Sequence, residues 1–168
     1  MSRLIALDVG EVRVGVAVSD AGGMLASPYT TFHVTRDRSQ LWASIRRAIE
    51  ETEAATLVVG LPVSLDGQIH AQGERILAFA EQLKQQVSIP IMFWDERLST
   101  VEAKRLLDER DRDDYVDERG KLRRRGHAAQ SRSRRRRVQE IDALAAAVIL
   151  QDYLDHLRRS SISEDRTV

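Results

Sequence analysis

The feature that most restricts the possible folds of this chain is a change of hydrophobic period near residue 37. Before it, Leu4-Ile5-Ala6-Leu7-Asp8-Val9-Gly10 is an apolar run ending in a glycine turn. In Arg13-Val14-Gly15-Val16-Ala17-Val18-Ser19-Asp20, three valines alternate with Gly15 and Ala17. That two-residue period is a strand's, and the short link at Gly10-Glu11 suits a hairpin. The small residues on one face imply that another element packs closely there. After a turn at Asp20-Ala21-Gly22-Gly23, Met24 to Thr35 reads as a third extended stretch, with Pro28 suiting an edge or irregular position.

From Asp37 or Ser39 the spacing becomes helical, with Leu41, Trp42, Ile45, Ala48 and Ile49 on one face and Arg46, Arg47, Glu50 and Glu51 on the other. Thr56-Leu57-Val58-Val59-Gly60 has the continuous apolar character of a strand buried on both faces. The loop Leu61 to Gly67 follows, then a helix from about His70 to Gln86 with Ile76, Leu77, Phe79, Ala80 and Leu83 inward, then a fifth strand at Ile89 to Trp94. Strands joined by single helices run parallel with right-handed crossovers. The expected architecture is an α/β fold with a mixed five-stranded sheet: three antiparallel-capable strands, then βαβα.

The C-terminal third is less regular. Ser99-Thr100-Val101-Glu102 is a capping box that opens a helix carrying Val101, Ala103, Leu106 and Leu107. Residues 108–138 are expected to form a mobile charged loop, acidic from Asp111 to Glu118 and basic from Arg119 to Arg137. The final helix is expected from about Val138, with Ile141, Leu144, Ala145, Val148, Ile149 and Leu154 on its inner face, and residues 159–168 as a disordered tail. The whole of residues 1–158 is expected to form one domain.

Composition narrows the chemistry. With no cysteine, thiolate metal sites and disulfides are excluded, leaving carboxylate, imidazole or carbonyl ligands. The N-terminus leads straight into a strand too short for a signal or membrane segment, so a soluble cytoplasmic protein is expected. Net charge is zero, with 26 basic and 26 acidic residues, yet Arg119 to Arg137 holds ten cations and no acid, so the remainder carries ten net negative charges. Ten clustered cations suit a phosphate backbone, bound with salt-dependent affinity and little sequence readout. That run contains no aromatic residue, so base stacking is not indicated there.

Sites in open α/β sheets form outside the carboxyl ends of the parallel strands. Asp8, the Gly60 to Gly67 loop and Asp95-Glu96 would all emerge on that edge, and Asp142 lies early in the last helix, whose alanines would let it approach the sheet. Singly, Asp8 could be a turn residue, Asp142 a helix N-terminal acid and Glu96 a surface partner of Arg97. Together, carboxylates on rigid elements suit Mg²⁺ or Mn²⁺ and phosphodiester hydrolysis. Arg13 and Arg97 could each meet a substrate phosphate or hold a neighbouring carboxylate, with the second role favoured for Arg13. His33, His70, His127 and His156 stand at no metal or triad spacing; Trp42 and Trp94 occupy core-like positions.

Four motifs, Asp8-Val9-Gly10 with Arg13-Val14-Gly15-Val16-Ala17, Val58-Val59-Gly60-Leu61-Pro62 with Asp66-Gly67, Asp95-Glu96-Arg97-Leu98-Ser99-Thr100, and Asp142 with Ala145-Ala146 and Ile149-Leu150, together resemble the YqgF (RuvX) family of bacterial ribonuclease H-like proteins. The resemblance covers about residues 3 to 155. It implies a ribonuclease H-like fold and a nuclease proposed to mature the 5′ end of pre-16S ribosomal RNA in ribosome precursors, under an older label of Holliday-junction resolvase acting on branched DNA. It also implies an acidic, metal-holding catalytic set of Asp8, Glu96 and Asp142. The arginine-rich segment, with Arg134, Arg135, Arg136 and Arg137 at its end, is longer than the family pattern, and its nucleic-acid role is not inherited. Two other readings compete: a non-catalytic nucleic-acid-binding or assembly module, disfavoured by the presence of all three acids, and half of an actin-like ATPase, for which the chain is too short.

Overall fold

The structure is a computed structural model, which describes residues 2–63, 68–95 and 127–164. Five strands, β1 (Arg3–Val9), β2 (Arg13–Ser19), β3 (Ala26–His33), β4 (Ala54–Leu61) and β5 (Ile91–Asp95), form one sheet in the order β3-β2-β1-β4-β5. β1, β2 and β3 pair antiparallel; β1, β4 and β5 pair parallel. Three helices accompany them: α1 (Ser39–Thr52), α2 (Ala71–Lys84) and α3 (His127–Glu164). This is the mixed five-stranded α/β arrangement expected from the sequence, with Pro28 on the edge strand β3.

Strand alternation separates two cores. Ile5, Leu7, Val14, Val16, Leu57, Val59 and Leu61 face α1 and α2, packing on Leu41, Trp42, Ile45, Ile76, Phe79 and Leu83. Trp42 meets Phe79 with ring centroids 4.9 Å apart, so the two helices lie side by side. The opposite face presents Leu4, Ala6, Ala17 and Val58 to α3. Such complete burial of the central strands explains why β4 reads as an unbroken apolar run. Asp37 accepts the Ser39 N–H at 2.9 Å to start α1, and Glu53, in the left-handed conformation (φ 52°), ends it and turns the chain into β4.

Three expectations are corrected. The helix begins at His127, so residues 127–138 are helical and not loop. Alanine, glutamine and arginine are strong helix formers, and extending a helix already anchored on the sheet needs no new nucleus. The same helix runs on through residues 159–164, which are therefore not a disordered tail. Thirdly, the buried stripe of α3 is Ala143, Ala146, Ala147, Leu150, Tyr153 and Leu154 with Ile149, whereas Ile141, Leu144, Ala145 and Val148 are only half-buried. Ile149 and Leu154 are buried as expected, and between residues 141 and 148 the buried positions are the small Ala143, Ala146 and Ala147. The expected helix after Ser99 and the segment 108–126 lie outside the described residues.

Candidate active site

The end of β1 sets the geometry. Along this strand Leu4 and Ala6 face α3, so by alternation Asp8 does too, while Val9 faces the other core. The chain reverses at once: the Gly10 N–H donates to the Arg13 carbonyl at 2.9 Å, and a Cβ on Gly10 would stand 2.8 Å from that oxygen. β2 then returns beside β1 with Asp8 opposite Gly15 and Ala6 opposite Ala17.

Gly15 is the contact through which α3 reaches the site. A Cβ there would lie 1.9 Å from the Asp142 carbonyl oxygen and 2.4 Å from its carbon. Only a residue without a side chain lets the helix backbone approach this closely, and the approach brings Asp142 beside Asp8. Further bonds fix the helix along the sheet: Thr31 Oγ1 donates to the Gln139 carbonyl at 2.7 Å, the Ala26 N–H to Gln151 Oε1 at 2.9 Å, and Trp94 Nε1 to Asp152 Oδ2 at 3.0 Å. The two acids are thus held on rigid elements, Asp8 on β1 and Asp142 on α3.

The electrostatics are those of a carboxylate pair. Burial, and secondarily the charge of Asp142, raise the Asp8 pKa from the ordinary 3.8 to about 6. Arg13 Nε donates to Asp142 Oδ2 at 2.5 Å, both side chains being partly exposed, and balances the Asp142 charge. Of the two roles open to Arg13, holding a carboxylate is the one observed. The oxygen it engages is Oδ2.

Two of the three expected acids are therefore brought together. Glu96 and Arg97 lie outside the described residues, as do Asp66 and Gly67. Asp95 is opposite Leu61, whose side chain belongs to the core under α1 and α2, so alternation assigns Asp95 to the face away from Asp8. Of the Asp95-Glu96 pair, Asp95 is not the partner of Asp8. Arg134 to Arg137 lie in α3, about 7 to 12 Å of helical rise before Asp142. Trp94 is half-buried and packs edge-on against Tyr153 at 5.4 Å and against His156 at 5.0 Å, a structural role as expected.

A divalent cation is the group that such a site implies. The donor set fits: hard carboxylate oxygens, one of them on a half-buried acid whose ionisation its neighbour opposes, a repulsion that a bound dication relieves. Among the described residues no group of three potential ligands stands together.

What sequence reasoning misses is a groove on the other side of the same sheet edge, lined by Val9, Gly10, Glu11, Arg38, Arg75 and Gln82 among others. No local signal could find it, because its two arginines come from different segments, one just before α1 and one in α2.

Known proteins resemble this chain over most of its length. A protein from Thermoanaerobacter pseudethanolicus named "Putative pre-16S rRNA nuclease" is 40% identical over 153 residues, covering 91% of this chain and 96% of that one. A protein of the same name from Roseiflexus sp. is 40% identical over 156 residues, covering 93% and 96%. Among solved structures, Thermus thermophilus RuvC in complex with Holliday junction substrate aligns over 89% of this chain and 92% of that one, with 12% identity and a TM-score of 0.44. The sequence model of the RuvX family, described as Holliday junction resolvase, matches residues 2–156, and the chain belongs to that family.

Proposed function

We propose that the protein is a metal-dependent nuclease that hydrolyses phosphodiester bonds of structured RNA, and that its substrate is the 5′ region of pre-16S ribosomal RNA in a cytoplasmic ribosome precursor. The observation that carries this reading is the pairing of Asp8 with Asp142 through the backbone contact at Gly15. The names of the relatives support the substrate.

Asp8 and Asp142 would hold Mg²⁺ or Mn²⁺, with Glu96 as the third carboxylate. The bound cation supplies a lowered pKa for water and charge neutralisation at the phosphate. The chain's own residues do the rest. Gly15 fixes the separation of the acids and Arg13 orients Asp142 through its hydrogen bond to Oδ2. The helical run Arg134 to Arg137, collinear with Asp142, supports backbone binding next to the site.

A junction-resolving nuclease is the second reading, favoured by the family's description. Cleavage assays that offer a pre-16S RNA fragment and a four-way DNA junction side by side, with Mg²⁺ or Mn²⁺, distinguish the two. Preferential cutting of the RNA supports the proposal; cutting of the junction alone replaces it with the second reading.

A further inference from the structure

We infer that the groove between the β1–β2 turn, the segment leading into α1 and α2 is a second binding subsite, which takes the sugar-phosphate backbone of a single-stranded segment flanking the scissile bond, with Arg38 and Arg75 as its cationic contacts. The inference rests on the nuclease reading for what occupies the neighbouring site. The groove measures about 440 Å³. Its near wall is Val9-Gly10-Glu11, the residues that directly follow Asp8, so it opens at the same end of β1 as the acidic site, on the opposite face of the sheet. Its far wall is α2, with Val34 and Arg38 from the segment before α1.

Both arginines are positioned for an anion. Arg38, just before α1, lies 5.8 Å from the centroid of Phe79 and donates to Gln82 Oε1 at 2.9 Å, two contacts with other residues of the groove wall that hold its guanidinium there. Arg75, on the first turns of α2, pairs with Glu11 on the turn beside Asp8. That pair is open to water, with side chains 61% and 74% exposed, so it contributes little stability and a phosphate can displace the carboxylate at small cost. Glu11 is therefore a competitor for the subsite's cation, and its removal should strengthen binding. The guanidinium forks suit phosphate oxygens without reading sequence, as expected of a flank that only positions the cut.

The test is fluorescence anisotropy with a labelled RNA hairpin bearing single-stranded 5′ and 3′ flanks, titrated across salt with Ca²⁺ present to prevent cleavage. A DNA hairpin of the same sequence is run in parallel. The double variant Arg38→Gln with Arg75→Gln should bind RNA about tenfold more weakly, with the slope of log K against log salt reduced by about 1.4 because two single-strand phosphates are no longer neutralised. Glu11→Gln should bind about twofold or more tightly. Trimming one of the flanks should abolish the difference between parent and double variant. Equal affinity and slope in parent and double variant, with an unchanged melting temperature, overturn the subsite while leaving the nuclease reading intact. Weakened binding by the double variant together with no cleavage by the parent in Mg²⁺ or Mn²⁺ upholds the subsite and overturns the nuclease reading. A parent that binds neither hairpin overturns both.

Discussion

Arg13 Nε stands 2.5 Å from Asp142 Oδ2, joining the first residue of β2 to the helix that carries the second acid of the site. The two are 129 positions apart in the sequence, and their contact couples the orientation of a candidate metal ligand to the hairpin that presents Asp8. A partner that orients a ligand in this way typically accounts for roughly 10- to 100-fold in metal affinity or activity. Arg13→Met should therefore lower nuclease activity by about that factor and weaken Mn²⁺ binding, read by calorimetry, while Arg13→Lys recovers only part because it lacks the planar fork. Wild-type Mn²⁺ affinity in Arg13→Met would show that Asp142 is held by the helix alone.

Gly15 should tolerate no side chain. The Cβ of alanine would overlap the Asp142 carbonyl, so Gly15→Ala must push α3 away from β2. Overpacking of this kind costs about 2–3 kcal/mol, equivalent to a melting temperature lower by roughly 5–10 °C. Activity should fall further than stability explains, because Asp142 moves with the helix. A variant that melts and cleaves like the parent would contradict the close approach.

Asp8 should cost stability in the metal-free protein. Its pKa is raised in the folded state, from 3.8 to about 6, so the folded protein binds the proton more tightly than the unfolded chain. Below about pH 4 the carboxyl is neutral in both states and has no effect. Between about pH 4 and pH 6 a penalty develops, and above that it is complete, of the order of 3 kcal/mol. Asp8→Asn should accordingly melt like the parent near pH 4 and at a higher temperature at pH 8. Mn²⁺ should raise the parent's melting temperature at pH 8 and leave that of Asp8→Asn unchanged. Equal melting temperatures of the two metal-free proteins at pH 8 would contradict the burial of Asp8.

Replacing Arg134 to Arg137 with glutamine should leave helicity at 222 nm unchanged, since glutamine is a comparable helix former. Affinity for RNA should fall, and the slope of log K against log salt should fall by about 0.7 for each phosphate that is no longer neutralised. An unchanged slope would mean that these arginines do not meet the backbone.

The sheet and the pairing of two of its acids are legible in the sequence because strand alternation is a local signal. The valines of β2 against Gly15 and Ala17 announce one face for a hydrophobic layer and one for a close neighbour, and the alanines after Asp142 announce that neighbour. Two properties of α3 are hidden, for opposite reasons. Its rotation is hidden because hydrophobicity singles out Ile141, Leu144 and Val148, while a closely approaching backbone selects Ala143, Ala146 and Ala147. Its N-terminal extension is hidden because clustered arginines suggest repulsion and disorder, while helix propensity and an anchored end favour propagation. The groove at Arg38 and Arg75 forms where the β1–β2 turn and the segment before α1 meet α2, and it has no trace in any of these segments alone.

The role of Asp8 as the site's key carboxylate is tested most directly by cleavage of a pre-16S RNA fragment by purified protein with Mn²⁺ or Mg²⁺, parent against Asp8→Asn. Cleavage is expected from the parent and none from a folded Asp8→Asn variant that still binds the RNA. Undiminished cleavage by Asp8→Asn would contradict it.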